Sequence, residues 1–366
     1  MFNKVISTPK SNKILLAKEY DALIRHAENY SEYLTSGIEK INNYLFSLDN
    51  LENNLIEDTE FLKLAYEIPQ DLVYGFLKFV NIRNICKYWV THYGSARVKK
   101  DDKKYIHGKE LGAYLALNGD LGGITGGGPG FMLAPIEGIV AAGLKAFFGF
   151  NINIHINEKP NYIFAKNPGH CTMSNHFAAR KILLTYWSKG FVIHMGGYGT
   201  NDETYEIKTL IQTLKMSPYP IIFYDIKNGN FWRTYKGFVS HLEKNGLINK
   251  EDKDIIQIMH EPSEVLNYLE DFNYYNFVRF LRINGGFYLV FKNSIHKGIL
   301  DDIAHKSDLS LHQEMPPEES IYKKLGYAHY KLTAEKFSWW KIQQAILHIN
   351  RRTKAQEKAL TRMLFQ

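Results

Sequence analysis

The sequence predicts an α/β protein in which helices cover both faces of a parallel β-sheet. Between residues 85 and 270, short apolar runs alternate with amphipathic stretches, and this spacing is typical of βαβ units. Three glycine-bearing turns, at residues 94–97, 126–130 and 196–200, each follow a predicted strand. Right-handed crossovers bring the carboxyl ends of parallel strands to one edge, where such sheets bind ligands. We therefore expect the three turns to meet.

The elements of this sheet follow from the periodicity of the apolar residues. Predicted strands occupy residues 85–93, 121–125, 146–152, 190–194, 219–224 and 254–258. Two predicted helices cover residues 175–187 and 207–214. Three others end at residue 117, at about residue 142 and at residue 269, and one begins at about residue 230. The alternation indicates a Rossmann-like sheet.

Both ends of the chain differ in composition from this centre. Residues 15–84 have helical spacing of apolar residues, with Pro69 as one of the few helix-breaking residues. From residue 271 the alternation stops; residues 285–291 resemble one strand, and residues 317–366 are expected to be helical. The predicted parts are a helical N-terminal extension (1–84), a Rossmann-like domain (85–270) and a mixed, mainly helical C-terminal region (271–366).

Composition excludes several classes of protein. The 366 residues are 45% hydrophobic, and no apolar run approaches the roughly 20 residues that cross a bilayer. The N-terminus lacks the apolar core of a signal peptide. Cys86 and Cys171 are too few for a disulfide framework or a cysteine zinc site, and fit a reducing compartment. We therefore expect a cytoplasmic protein with no membrane partner.

Charge and histidine spacing limit the partners further. The net charge of +7 suits an anionic ligand. The most basic segment, residues 351–362, is interpreted as the solvated face of a helix; an RNA contact is the weaker alternative, so we expect no nucleic acid partner. The histidines lack a recognisable zinc spacing, so we expect no metal site.

The most informative segment follows the strand at residues 190–194. It is Met195-Gly-Gly-Tyr-Gly-Thr-Asn-Asp-Glu203, and it opens an apolar-periodic stretch, so a strand, a turn and a helix follow in order. Glycines let the backbone approach an anion, and the unpaired N–H groups of a first helical turn favour a bound phosphate. The predicted phosphate-binding residues are Gly196, Gly197, Gly199 and Thr200.

The helix that follows this turn carries carboxylates at positions where most phosphate-binding turns are followed by a lysine. Glu203 and Glu206 are three residues apart and therefore share a helix face beside the predicted anion site. This combination indicates chemistry on a group attached to the phosphate, such as the anomeric carbon of a ribose phosphate.

The turn Gly126-Gly-Gly-Pro-Gly-Phe131 allows two interpretations. It lacks the third glycine of a dinucleotide fingerprint, because Phe131 occupies that position. It is either a tight strand-to-helix turn or, as we favour, a turn in which Gly127 and Gly128 contact a nucleotide.

Two further groups are weak signals when taken singly. Arg180-Lys181 on a predicted helix is usually a solvated face, although an arginine can bridge phosphate, ribose oxygens and a carboxylate. Ser95 lacks the second glycine of a nucleophile elbow, and we expect its hydroxyl to donate to an anion.

Together these motifs resemble the LONELY GUY (LOG) family, once labelled "possible lysine decarboxylase". The family signature P-G-G-x-G-T-x-x-E matches residues 195–203, except that Met195 replaces the proline. The family's G-S-x-R turn, G-G-G element and R-K pair are similar to residues 94–97, 126–132 and 180–181. The resemblance covers residues 85–270.

The resemblance implies hydrolysis of the N-glycosidic bond of a nucleoside 5′-monophosphate such as AMP, giving free base and ribose 5-phosphate. It also implies a homo-oligomer, a dimer or higher. No lysine stands out as a Schiff-base former for pyridoxal phosphate, so the residues do not support the older label, and we expect no cofactor. Since the superfamily also contains nucleotide-binding sensors, a non-catalytic sensor or regulatory protein is the alternative.

The expected roles of the residues follow from this chemistry. Glycosidic cleavage passes through an oxocarbenium-like state that a carboxylate stabilises, and Glu203 is the predicted carboxylate. Arg180 is expected to orient Glu203 and the ribose, and Lys181 to contact substrate. Glu206 either binds a ribose hydroxyl or caps the helix. The residues expected to hold the nucleotide are Ser95, Gly127, Gly128, Gly196, Gly197, Gly199 and Thr200.

Two departures from the family pattern concern the substrate site. Met195 removes the fixed φ of a proline before the turn. Leu133-Ala134 follows Met132 where many relatives carry Glu-Ala, and Glu137, one helical turn further on, is expected to substitute only in part.

Overall fold

The computed structural model describes residues 55–153, 160–273, 277–306, 309–315, 320–323, 325–335 and 337–364. Helix α1 (Leu55–Val80) confirms the helical N-terminal extension over its described part, and the expectation for residues 15–54 lies outside the described residues. Pro69, predicted to break a helix, instead lies inside α1. A proline removes one backbone donor, and that loss does not end a helix of 26 residues here.

A seven-stranded parallel sheet forms the centre of the chain and confirms the predicted α/β fold. Its strands are β1 (Tyr88–Tyr93), β2 (Leu121–Thr125), β3 (Phe147–Ile152), β4 (Cys171–Ser174), β5 (Ser188–Ile193), β6 (Ile221–Tyr224) and β7 (Ile256–Met259). Their spatial order is β4-β3-β2-β1-β5-β6-β7. The direction in which strands are added therefore reverses between β1 and β5.

Helices cover both faces of this sheet. They are α2 (Lys103–Gly119), α3 (Ala134–Ala141), α4 (Tyr162–Lys166), α5 (Phe177–Tyr186), α6 (Tyr198–Gln212), α7 (Phe231–Lys244) and α8 (Pro262–Asn273). Val90 and Val192 belong to a buried cluster with α2 and α8. Their neighbours Trp89 and Phe191 point the other way, into a cluster with α1, α5 and α6. Both faces are apolar, as is usual for parallel sheets.

Two elements near the sheet edge differ from the prediction. Strand β4 lies in a segment expected to be irregular, because four residues are too few to show a periodicity. Helix α6 begins at Tyr198, well before residue 207. Its first turns consist of polar residues and a glycine, so the apolar periodicity starts later than the helix.

The C-terminal region adds a four-stranded antiparallel sheet of order β10-β11-β9-β8. Its elements are β8 (Phe277–Ile283), β9 (Gly286–Phe291), α9 (Lys297–Lys306), β10 (Ser310–Glu314), β11 (Ala328–Thr333) and α10 (Trp339–Leu364). The strand predicted at residues 285–291 is confirmed. Strand β11 lies in a segment expected to be helical. Its residues Tyr330 and Leu332 are buried and Lys331 between them is partly exposed, which is the alternation of a strand.

Helix α10 joins the C-terminal region to the central sheet. Its residues Ile342 and Ile346 are buried in the same cluster as Phe191 of β5 and Phe291 of β9. The described residues form no helix that has both the length and the apolar character needed to cross a membrane.

Helices α2 and α3 approach each other at two glycines, which gives a test of the packing. A Cβ at Gly112 would collide with the backbone of Pro135, and one at Gly138 with the backbone of Lys109. We expect Gly138→Ala to lower the free energy of unfolding by about 1–3 kcal/mol, because backbone atoms cannot rotate aside.

The matched control is Gly237→Ala in α7, where a Cβ would meet no atom within 4 Å. It should raise the free energy of unfolding by about 0.5–1 kcal/mol, since alanine favours a helix over glycine. Urea unfolding measures both. Equal stability of Gly138→Ala and the wild type would contradict the close approach of α2 and α3.

Candidate active site

The three glycine-bearing turns meet at the carboxyl edge of the sheet, between β1 and β5. Ser95 joins them, since its N–H donates to Met195 O (3.0 Å) and its carbonyl O accepts from Phe131 N (2.9 Å). Gly130 has a φ of +63°, and a Cβ there would collide with Ser95 O. Ligands of such sheets bind where the direction of strand addition reverses, so the turns lie at the expected position.

The turn between β5 and α6 presents its backbone to open space. Gly197 is the N-cap of α6, and its cap position has no side-chain hydrogen bond. A Cβ at Gly197 or Gly199 would meet no protein atom within 4 Å, whereas one at Gly196 would collide with Thr200. The unpaired N–H groups at a helix start carry partial positive charge, so this open surface suits an anion.

Arg180 of α5 and Glu203 of α6 form an ion pair that is largely, but not fully, shielded from solvent. Arg180 Nη2 lies 3.7 Å from Glu203 Oε1, and their side chains are 12% and 13% exposed. Arg180 Nε also donates to Phe150 O (3.0 Å). A Cβ at Gly126 would collide with the guanidinium, so this glycine makes room for it. Burial raises the pKa of Glu203 to about 7, although the Arg180 charge opposes the shift.

Lys181 bridges two other carboxylates of α6. Its Nζ lies 2.7 Å from Asp202 Oδ2 and 3.7 Å from Glu206 Oε2. Glu206 lies about two turns into α6, so it does not cap this helix, and one of its two predicted roles is wrong. Burial raises the pKa of Glu206 and Lys181 opposes the shift. Asp202 was not predicted as a site residue, since its charge was its only signal in the sequence.

Gly127 and Gly128 are buried under a residue that sequence analysis missed. Asn161, the N-cap of α4, donates from Nδ2 to Gly127 O (3.0 Å) and to Gly128 O (3.1 Å). It lies in the segment expected to be irregular, where an asparagine before a short helix was the only signal. The carbonyl groups of this turn are therefore already bonded within the protein.

Ser95 and Lys104 both contact Met195, the first residue of the turn between β5 and α6. Ser95 Oγ accepts from Arg97 N (3.1 Å) and lines an open cavity of ≈ 460 Å³ together with Arg97 and Met195. Lys104, in the first turn of α2, places its Nζ 3.3 Å from Met195 Sδ. A cation therefore lies against the side chain of Met195, the residue before Gly196. No local pattern indicates this, because Lys104 is distant from the turn in sequence.

Glu137 and the buried histidines His92 and His194 make contacts of their own. Glu137 accepts hydrogen bonds from Lys100 and from Tyr162 OH (2.9 Å), so it is engaged elsewhere. His92 Nδ1 lies 3.4 Å from His194 Nε2, and burial lowers the pKa of both rings, that of His92 to about 3. Within the described ranges, no three His, Cys, Asp or Glu side chains are placed to hold a metal ion.

Comparison with known proteins confirms the family resemblance in part of the chain. Residues 132–269 match the model of the family described as "possible lysine decarboxylase", which includes the Arg180-Lys181 pair and the turn at residues 195–203. No curated protein matches the chain.

Solved structures similar to the chain align with half its length. One is the molybdenum cofactor carrier protein from Chlamydomonas reinhardtii (16% identity, TM-score 0.34, 50% of this chain and 96% of that chain). Another is the molybdenum cofactor binding protein from Rippkaea orientalis (16%, TM-score 0.34, 50% and 94%). A third is the structural-genomics target TM1055 (19%, TM-score 0.36, 50% and 98%).

The raised pKa of Glu203 predicts a dependence of stability on pH. A carboxyl whose pKa is 4.5 in the unfolded chain and about 7 in the folded protein favours folding below pH 4.5 and loses this contribution as the pH rises through 7. Glutamine does not titrate. The stability of Glu203→Gln relative to the wild type should therefore rise between pH 4 and pH 8, by up to about 3 kcal/mol.

Urea unfolding at pH 4, 6 and 8 measures this change. Glu110→Gln, at an exposed position of α2, is the matched control and should show little pH-dependent difference. A difference between Glu203→Gln and the wild type that stays constant with pH would show that the pKa of Glu203 is not raised.

Proposed function

We propose that this chain, whose residues 132–269 match the possible lysine decarboxylase (LOG) family, hydrolyses the N-glycosidic bond of a nucleoside 5′-monophosphate to free base and ribose 5-phosphate. The observation that carries the proposal is the largely shielded pair of Arg180 and Glu203 close to an open glycine turn at a helix N-terminus. The turn suits a phosphate, and the pair suits chemistry on the attached sugar.

Glu203 acts in this proposal on the ribose carbon that bears the base. As the bond between C1′ and the base breaks, the carboxylate stabilises the positive charge that develops on the sugar. The oxygen of a water molecule bonds to C1′, and one proton of that water ends on the departing base. A pKa of about 7 allows Glu203 both to carry charge and to exchange a proton at neutral pH.

Arg180 and the surrounding residues hold the substrate for this step. Arg180 fixes the Glu203 carboxylate and has further N–H donors for ribose oxygens. Glu206 is assigned to a ribose hydroxyl, and Lys181 positions it. The residues assigned to the phosphate and the rest of the nucleotide are Gly196, Gly197, Gly199, Thr200, Ser95, Gly127 and Gly128.

A nucleotide sensor without hydrolysis is the second candidate. It is favoured by the C-terminal region, residues 271–366, which lies outside the family-matched segment and contributes no residue to the proposed hydrolytic step. The retention of both Arg180 and Glu203 favours the hydrolase, because a sensor needs the phosphate-binding turn but not the ion pair.

The homo-oligomer that the resemblance implies is part of the proposal. Exposed side chains of Tyr198, Phe231 and Phe238 line a groove of ≈ 760 Å³ between α6 and α7. Aromatic residues are enriched in the centres of protein interfaces, so this groove is the surface that would suit a second copy of the chain.

Base release tests the hydrolase directly. The protein is incubated separately with AMP, GMP, CMP, UMP and IMP, and free base is measured by chromatography. Glu203→Gln should lower turnover at least about a hundredfold, because it removes the charge and the proton acceptor together. Glu110→Gln should leave turnover unchanged.

The outcomes of this experiment separate the two candidates. Base release that survives in Glu203→Gln would remove Glu203 from the mechanism. No release from any nucleotide, together with nucleotide binding by calorimetry, would favour the sensor.

Lys104 is expected to contribute to phosphate binding although it is remote in sequence. Its Nζ stands beside Met195 at the entrance to the turn. Lys104→Met should raise the KM for AMP about tenfold with little change in kcat, since a charge-assisted hydrogen bond contributes about 1.5–3 kcal/mol. The exposed neighbour variant Lys103→Met should match the wild type. An unchanged KM in Lys104→Met would place the phosphate out of reach of this lysine.

A further inference from the structure

Helix α5, which carries Arg180, begins without a cap from its own sequence. Its N-cap residue His176 makes no side-chain cap hydrogen bond. In a capping box the third residue of the helix would bond to the N-cap N–H group, but that residue is Ala179, which has no polar side chain. The start of α5 therefore needs a partner from elsewhere in the chain.

Asp71 of α1 supplies that partner from outside the family-matched segment. Its Oδ2 accepts from His176 N (3.1 Å) and from Asn175 N (2.6 Å). The Asp71 carboxylate is 8% exposed. A negative charge at this end of a helix also interacts favourably with the helix dipole. Asp71 thus takes the role that a glutamate inside α5 would have in a capping box.

The contact between α1 and α5 continues along one stripe of α1. Glu67 Oε2 lies 2.6 Å from His176 Nε2. A Cβ at Gly75 would collide with Leu183, so the two helices approach closely there. The Phe79 ring lies 5.0 Å from the ring of Trp187, the C-cap of α5. Residues 67, 71, 75 and 79 are four apart, so they form one face of α1.

Arg180 lies between the two ends of this contact. Its N–H donates to His176 O (3.2 Å), so it belongs to the first turn that Asp71 stabilises. In its guanidinium group, Nε donates to Phe150 O (3.0 Å) and Nη2 lies 3.7 Å from Glu203 Oε1. Both distances depend on where α5 begins and how it is rotated. A displacement of about 1 Å is enough to cost a large part of catalysis.

We propose that the N-terminal extension positions the active site, with Asp71 as a positioning residue that sets Arg180 through the start of α5. The inference rests on the proposed function for its catalytic part only. The N-terminal region that the family model does not match thereby has a defined role, because it holds the helix that carries the arginine.

The test compares Asp71→Ala, Asp71→Asn and the control Gln70→Ala in the full chain. Gln70 is the exposed neighbour of Asp71 on α1. Hydrogen exchange is measured on peptides that cover residues 175–184, with β9 as an internal reference. Steady-state hydrolysis of AMP and calorimetric binding of AMP are measured on the same samples.

Asp71→Ala should speed exchange over residues 175–184 but not in β9, and should lower kcat about tenfold with a smaller effect on KM. Asp71→Asn, which can still accept both hydrogen bonds, should recover most of the loss. Gln70→Ala should match the wild type. If Asp71→Ala does not fold, Asp71→Ser, whose shorter side chain does not reach both N–H groups, replaces it, and equality of this variant with wild type in both exchange and kcat would overturn the proposal.

Three results would overturn the positioning role. Exchange over residues 175–184 that does not respond to Asp71→Ala would show that Asp71 does not hold the start of α5. Faster exchange with unchanged kcat would show that the cap does not set Arg180. If the wild type binds AMP but releases no base, the proposed function fails. In that case, weaker AMP binding by Asp71→Ala would support the positioning role, and unchanged AMP binding would overturn it.

Discussion

Glu203 is a carboxylate removed from water, and the geometry around it follows from what a buried charge requires. Taking an ion out of water costs several kcal/mol unless a partner charge and hydrogen bonds compensate. Arg180 is that partner, and Phe150 O of β3 fixes its guanidinium from a second direction. Gly126 leaves space that any side chain would occupy. A strand, a glycine turn and two helices are therefore all adapted to one ion pair.

The polarity of the site changes over a short distance along α6. At its start, backbone N–H groups and the nearby Lys104 make the surface positive. From its second turn onward α6 carries the carboxyl groups of Asp202, Glu203 and Glu206. A nucleoside monophosphate has the complementary order, with an anionic phosphate followed by a sugar that becomes positive when its base departs. Anion-binding sites that have a lysine next to the turn lack such carboxylates beside the position of the sugar.

Sequence patterns predicted the parts of this site that are local in the chain. The turn at residues 195–203 and the Arg180-Lys181 pair were found because each motif lies within a few residues of one strand or helix. Asp71, Lys104 and Asn161 act on residues that are distant from them in sequence, so no periodicity or spacing marks them.

The elements of the fold also divide into those that local sequence predicts and those that depend on pairing with distant strands. Strands β2 and β3, which lie in short, mainly non-polar runs between helical segments, were predicted close to their observed bounds. The short strand β4 and the polar strand β11 depend on pairing with β3 and β9, which a single sequence does not reveal. The apolar periodicity of α6 begins only at residue 207, because the polar residues of its first turns interrupt the apolar pattern that marks a helix.

The ionisation of Glu203 connects the flanking helix α1 with the chemistry. With a pKa of about 7, both protonation states are populated at neutral pH, and a small change in the field shifts their balance. A bound phosphate raises the pKa of a nearby carboxyl, whereas Arg180 lowers it. The fraction of charged Glu203 in the substrate complex therefore depends on how closely Arg180 approaches. Asp71 accepts hydrogen bonds from the start of α5, so the packing of α1 on α5 belongs to the series of contacts that leads through Arg180 to the Glu203 carboxylate.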